Sequence, residues 1–412
     1  MSLPNRDRLV RRSTLILSAT QALAWAGAGV FATFGALSVE HLFGGEASVG
    51  FFIATFWVAA AIGAPVAGRL MDRFGRRPGL AAGHGLITVS GVAAAASIAS
   101  GSGPALVASA IPMGLGASAA LLARVAVADM HPPETRARAV GLMVAAGTIG
   151  ALGGPILGAI VHGLAEARGV AEPLGAPWLL LPAFGLSSLL LIAMLRPDPR
   201  DLAVASRTAV ARPSAARVFR QRPGIVAVAT IGATQPVMST FMGLSAVVLS
   251  GHGVREGAIS AVVSGHLAGM LAFSPAIGAA LDRWGRRRGL IVGLGVTAIG
   301  VPLTAIPTAA GPVGVGLFLV GVGWSVAYLG STTVVSDLTE PAERAGALGL
   351  TDLVAAVASA VGVLGGAALL QATSFPTLAV VALVLLVIPG ALLLRLREPA
   401  PGRWEAAALP KA

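Results

Sequence analysis

The chain has 412 residues, of which 55% are hydrophobic and 11% charged, with 54 glycines, 26 prolines, no cysteine and a formal charge of +11. A mean hydropathy of +0.83 and a charged fraction far below the roughly 25% of soluble domains make lipid the solvent for most of its surface. The lack of cysteine excludes disulfides, thiolate metal sites and cysteine nucleophiles. The basic residues lie between apolar runs and not on one face of a soluble module, which excludes nucleic-acid binding.

In chain order, the basic start MSLPNRDRLVRRSTLILSAT leads into an apolar run that passes residue 35 without a small-residue cleavage site. It reads as a first membrane helix and not as a removed signal. Stretches of spanning length, about 20 residues each, fall at 13–38, 48–67, 79–100, 104–128, 139–163 and 175–195. Six more fall at 224–249, 258–281, 289–309, 312–335, 345–371 and 375–395. The expected organisation is an N-terminal six-helix half (1–195), a cytoplasmic linker rich in Arg, Pro, Ser and Ala (196–222), a C-terminal six-helix half (223–397) and a cytoplasmic tail (398–412). The fold class is therefore an all-α membrane protein of twelve transmembrane helices.

If the N-terminus is inside, all 29 Lys and Arg except Arg124, Arg168 and Arg255 fall in inside segments or at inside helix ends. The positive-inside rule then places both termini in the cytoplasm and the chain in a bacterial cytoplasmic membrane. An internal repeat supports the division into halves. GRLMDRFGRRPGL (Gly68 to Leu80) matches GAALDRWGRRRGL (Gly278 to Leu290), and DMHPPETRARAVGL (Asp129 to Leu142) matches DLTEPAERAGALGL (Asp337 to Leu350).

The repeated GxLxDRxGRRxxL pattern resembles the signature loop of the major facilitator superfamily, and the resemblance covers the whole chain. It implies two six-helix halves around a central cavity, working by alternating access, usually as a monomer. It also implies conformational roles for Gly68, Asp72, Arg73, Gly75 and Arg76 and for Asp282, Arg283, Gly285 and Arg286. The aspartate would cap a neighbouring helix N-terminus and pair with arginines, a carboxylate near a positive helix end. In the fifth span, Gly141, Gly150, Gly154, Pro155 and Gly158 resemble a glycine motif of antiporters in this family, with Ala159 replacing its last glycine. Such glycines serve equally well as a packing surface.

Two pairs of soft ligands stand out. Met238 and Met242 share one face of the seventh span, and His266 and Met270 share one face of the eighth, both at i, i+4. The seventh span runs outward and the eighth inward. Met242 and His266 then lie roughly 10 to 13 Å below the outer ends, and Met238 and Met270 roughly 16 to 20 Å below, so the four can converge near the midplane. Thioether and imidazole without carboxylate favour Cu(I). The bland alternative is that methionine fills core gaps and a lone histidine is held by a structural hydrogen bond.

MxxxM followed by HxxxM on consecutive spans is similar to the CcoA-type copper importers of the same superfamily. The resemblance implies copper as transported substrate with no permanently bound cofactor, and Met238, Met242, His266 and Met270 as its ligands. It further implies a cytoplasmic copper acceptor or chaperone as partner and supply of copper to cbb-type cytochrome c oxidase. The alternative function is proton-coupled efflux of a drug or small metabolite, which the fifth-span glycines favour. No Asp or Glu in the interiors of spans one, two, four and five offers a first-half proton carrier. Asp352 is a candidate for coupling, Arg124 is close enough to a helix end to snorkel, and His84, Gln21 and Gln235 read as structural. An enzyme is not expected, since no nucleophile–base constellation or phosphate-cradling loop is present.

Overall fold

The computed structural model describes residues 3–202, 215–306, 309–339 and 344–398, and these are helical throughout apart from short connections. A chain in lipid must satisfy its backbone groups internally, and a helix does so within one segment. The helices are α1 (Leu3–Phe43), α2 (Glu46–Phe74), α3 (Arg76–Ala99), α4 (Gly103–Leu121), α5 (Ala123–Met130), α6 (Pro133–Ala167) and α7 (Leu180–Ala193) in the first half. In the second half they are α8 (Arg222–Gly251), α9 (Glu256–Leu271), α10 (Ser274–Trp284), α11 (Arg286–Thr304), α12 (Ala310–Asp337), α13 (Arg344–Ala372) and α14 (Phe375–Leu394). The pairs α4–α5 and α9–α10 each form one broken span, Gly103–Met130 and Glu256–Trp284.

Among the described residues, eleven helical stretches are long and apolar enough to cross a membrane. The expected ninth span, 289–309, is helix α11, whose arginines at the start and four glycines hold down its mean hydropathy. Its position is nevertheless that of a span, because it packs along α12 and α14 as α3 packs along α4 and α7. The duplication seen in the sequence is repeated in the packing. The pairs α1·α6, α2·α4 and α1·α7 recur as α8·α13, α9·α12 and α8·α14. Residues 203–214 of the expected linker, the tail beyond Glu398 and residues 340–343 of the second repeat lie outside the described residues.

The signature loops are tight corners. Gly75 alone separates α2 from α3, with φ of 107°, and Gly285 alone separates α10 from α11, with φ of 90°. Positive φ at these values suits glycine and penalises every residue with a Cβ. Each corner is held by a carboxylate from the end of its own half. Asp198 accepts hydrogen bonds from the backbone N–H groups of Arg76 and Arg77 at 3.1 and 2.9 Å. Glu398 accepts from those of Arg286 and Arg287 at 2.9 and 2.7 Å. Both satisfy unpaired donors at a positive helix end.

The two halves meet through α2 with α13, α6 with α9, and α1 with α8. These contacts concentrate away from the N-terminus of the chain. There the first turns of α2 lie on the last third of α13, with Gly50 against Ala367 and Val363, and Ile53 fits against Gly243 of α8. Midway along, Ser264 of α9 donates to the Leu152 carbonyl of α6 at 3.0 Å. Toward the N-terminal end, α5 and α13 are joined by side chains that reach across the space between the halves.

Candidate functional site

Helix α4 ends at Leu121, and the chain resumes as α5 with Arg124 near its start. From there the guanidinium crosses to the second half. Arg124 Nη2 donates to Asp352 Oδ2 of α13 at 3.0 Å, and Nη1 donates to the Tyr328 hydroxyl of α12 at 3.4 Å. Tyr328 in turn donates to Asp352 Oδ1 at 2.8 Å. One helical turn earlier, Trp324 stacks on Tyr328 with ring centroids 5.0 Å apart and planes 16° from parallel. Its indole N–H donates to Gln235 Oε1 of α8 at 2.6 Å. Helices α5, α8, α12 and α13 thus contribute to one polar cluster.

The side chains of Arg124 and Asp352 are 38% and 33% exposed. Charges inside a bundle at this exposure stay within reach of water, because a sealed apolar interior would make an ion pair costly to keep. A charge-assisted, three-membered network with an aromatic platform beside it can orient a polar solute and stack on a flat one. The reading of Arg124 as a snorkelling residue is corrected here: its guanidinium is directed across the interior to an acid of the other half and not along its own helix to the surface. Two other clefts, of about 370 and 400 Å³, lie between α3 and α4 and between α9 and α12. Both are lined by Ala, Gly, Ser, Val and Pro without a charged side chain, so neither offers comparable recognition.

The four soft ligands sit elsewhere. His266 is fully buried, and its Nδ1 lies 2.6 Å from the Leu317 carbonyl of α12, so it donates there. Its Nε2 is buried without a hydrogen-bond partner. Met270, one turn on, and His266 both border Gly321 of α12, where a Cβ would crowd them. Met238 and Met270 are buried in the apolar core, and Met242 packs against it half-buried. The three methionines belong to one apolar cluster, and among the described residues no hydrogen bond links the α8 pair to the α9 pair.

The signature-loop charges form ion pairs within each half. Arg76 bonds Asp72 at 3.1 Å and Asp129 at 2.9 Å, and Arg286 lies 3.0 Å from both Asp282 and Asp337. Asp72 and Asp282 are largely exposed, while the helix ends beside them are capped by Asp198 and Glu398. Arg73 lies over the Phe74 ring, Arg283 closes the last turn of α10, and Gly68 faces open space. Of the fifth-span glycines, Gly150 and Gly154 lie against the α1 backbone at Ala22 and Ala26, and Gly158 lies against Phe34. Pro155 packs against Gly29, whereas Gly141 faces open space. Close helix approach explains Gly150, Gly154 and Gly158 without any appeal to transport direction.

The description of the Major Facilitator Superfamily matches residues 17–251 and 237–411. The chain belongs to this superfamily. Its relatives include the uncharacterized MFS-type transporter YdeG of Bacillus subtilis (strain 168), 31% identical over 94% of this chain and 93% of that one. The riboflavin transporter RfnT of Brucella anthropi is 26% identical over 84% of this chain and 85% of that one. Among solved structures, a partially occluded inward-open conformation of the xylose transporter XylE from E. coli superposes with a TM-score of 0.68 at 18% identity, covering 94% of this chain and 98% of that one. This major facilitator protein is accordingly a multi-pass membrane transporter, a carrier and not an enzyme.

Sequence reasoning passed over Arg124 as a site residue, and with it Tyr328 and Trp324. A signal was present: Arg124 is a lone cation inside one span and Asp352 a lone acid inside another, in opposite halves. Complementary charges in lipid must find each other or water.

Proposed function

We propose that this transporter carries a small organic solute with a flat ring and hydrogen-bonding groups, by alternating access, through the Arg124–Asp352–Tyr328 cluster. The single observation that carries the reading is the ion pair between α5 and α13, which joins the two halves through side chains that stay 38% and 33% exposed. Solute groups that take over the hydrogen bonds of Arg124 and Asp352 would release one half from the other and link occupancy to rocking. The Trp324–Tyr328 stack offers a face to a planar ring. Riboflavin, the solute named for the relative RfnT, has a flat ring and a polyol chain and is the first compound to try. The positive-inside distribution supports cytoplasmic termini, in which case the open end of the cluster faces inward.

A second reading is copper import through Met238, Met242, His266 and Met270, with delivery to a cbb-type oxidase. One observation favours it, the buried Nε2 of His266 without a partner, one turn from Met270. Against it, Nδ1 is committed to Leu317 and the methionines pack as core. Thermal unfolding of the purified protein separates the two, since a ligand that binds the folded state raises Tm. Riboflavin is expected to raise Tm of the native sequence and not of Asp352→Asn. A Tm rise with Cu(I) that His266→Ala removes, and no response to riboflavin, would reverse the order of the two readings.

A further inference from the structure

At the end of the molecule remote from the N-terminus, a histidine is placed between carboxylates of both halves. His162, near the end of α6, is 4% exposed, and its Nε2 lies 2.6 Å from Glu256 Oε2 at the start of α9. Glu166, one turn further along α6, lies 3.6 Å from the same nitrogen. Neither ring nitrogen makes an aligned hydrogen bond. The Phe34 ring of α1 stands 6.1 Å away and closes the inner side. The transport reading assigns this cluster no role, and it lies between the helices whose separation would open this end, α6 and α9.

We propose that His162, Glu256 and Glu166 form a proton-binding site that couples protonation to closure of this end of the transporter. With His162 cationic, one charge of the imidazolium offsets two carboxylates and draws α9 onto α6. With His162 neutral, two carboxylates face each other across a partly desolvated gap and favour separation. The closed form therefore binds one proton more than the open form, and the proton comes from and returns to water at that end. Linkage then requires that closure be favoured at lower pH and lost as pH rises.

Other charged groups at this end belong to different partnerships or to the exposed rim. On α1, His41 pairs with Glu172 at 3.2 Å, and Glu40 has its own interaction. Arg168 follows the last turn of α6, His252 follows α8, Arg255 precedes α9, and all three are exposed. The charges of α5 and α10, Arg124, Asp129, Asp282 and Arg283, belong to the opposite part of the molecule.

The lack of native cysteine makes a direct test available. Spin labels on Val170→Cys and Gly251→Cys, both exposed and one in each half, report the separation of this end by electron–electron double resonance on the full chain in lipid nanodiscs. Between pH 5 and 8.5 the ratio of short to long distances is expected to fall by as much as tenfold per pH unit. In His162→Gln and in Glu256→Gln the ratio is expected to stay flat with pH, whereas Glu166→Gln keeps part of the response. If His162→Gln does not fold, Glu256→Gln, which keeps the histidine, carries the comparison. A pH-independent ratio in the native background, or an unchanged response in Glu256→Gln, overturns the proposal. No solute is needed, so either result is independent of the transport substrate.

Discussion

Arg124 and Asp352 each stand alone among apolar neighbours on their own helices, and each acquires its role only from the other. A guanidinium left without its carboxylate inside the bundle keeps a charge with no counter-ion, so removing one partner is worse than removing both. Arg124→Ala and Asp352→Asn are each expected to reduce transport by tenfold or more at unchanged membrane abundance. The exchange Arg124→Asp with Asp352→Arg is expected to recover part of it, and radiolabelled solute uptake measures both. A full loss in the exchange variant equal to the single losses would show that position, and not mutual charge, is what matters. The same residues show where sequence reading stops. The i, i+4 spacing of Met238 with Met242 and of His266 with Met270 was legible, but spacing gives no information on rotation. His266 is turned to the Leu317 carbonyl of α12, a contact between residues 51 apart that no local pattern encodes.

At the scale of elements, helices and corners were readable because their causes are local. Apolar length sets the spans, and a lone glycine with positive φ sets the corners at Gly75 and Gly285. The caps on α3 and α11 were not readable, since Asp198 and Glu398 come from more than 110 residues away. The matched sequences Arg196-Pro197-Asp198 and Arg397-Glu398-Pro399, each just after the last helix of a half, were the available signal. Removing a helix cap costs about 0.5 to 2 kcal/mol. Asp198→Ala is accordingly expected to lower Tm measurably, and Asp198→Asn, which keeps an acceptor, to lower it less. Equal losses would assign the effect to charge and not to capping. Gly154→Val is expected to be more damaging still, because its Cβ would fall 2.7 Å from the Ala26 Cα on α1. Gly141→Val, with open space around it, is expected to leave Tm unchanged, and a thermal melt of both variants checks the contrast.

At the scale of the whole molecule, the duplication explains most of what the sequence revealed. Matching loops predict matching halves, and the packing of α1 on α6 is repeated by α8 on α13. What the duplication does not repeat is the chemistry of the cleft, because Arg124 is supplied by one half and Asp352, Tyr328, Trp324 and Gln235 by the other. That asymmetry is what a carrier needs, since a solute held by both halves must be released when they part. The measurement that tests this most directly is uptake of radiolabelled riboflavin and of Cu(I), side by side, into proteoliposomes containing the native sequence, Asp352→Asn or His266→Ala. The account predicts riboflavin uptake that is lost in Asp352→Asn and retained in His266→Ala. Copper uptake lost in His266→Ala and retained in Asp352→Asn would contradict it.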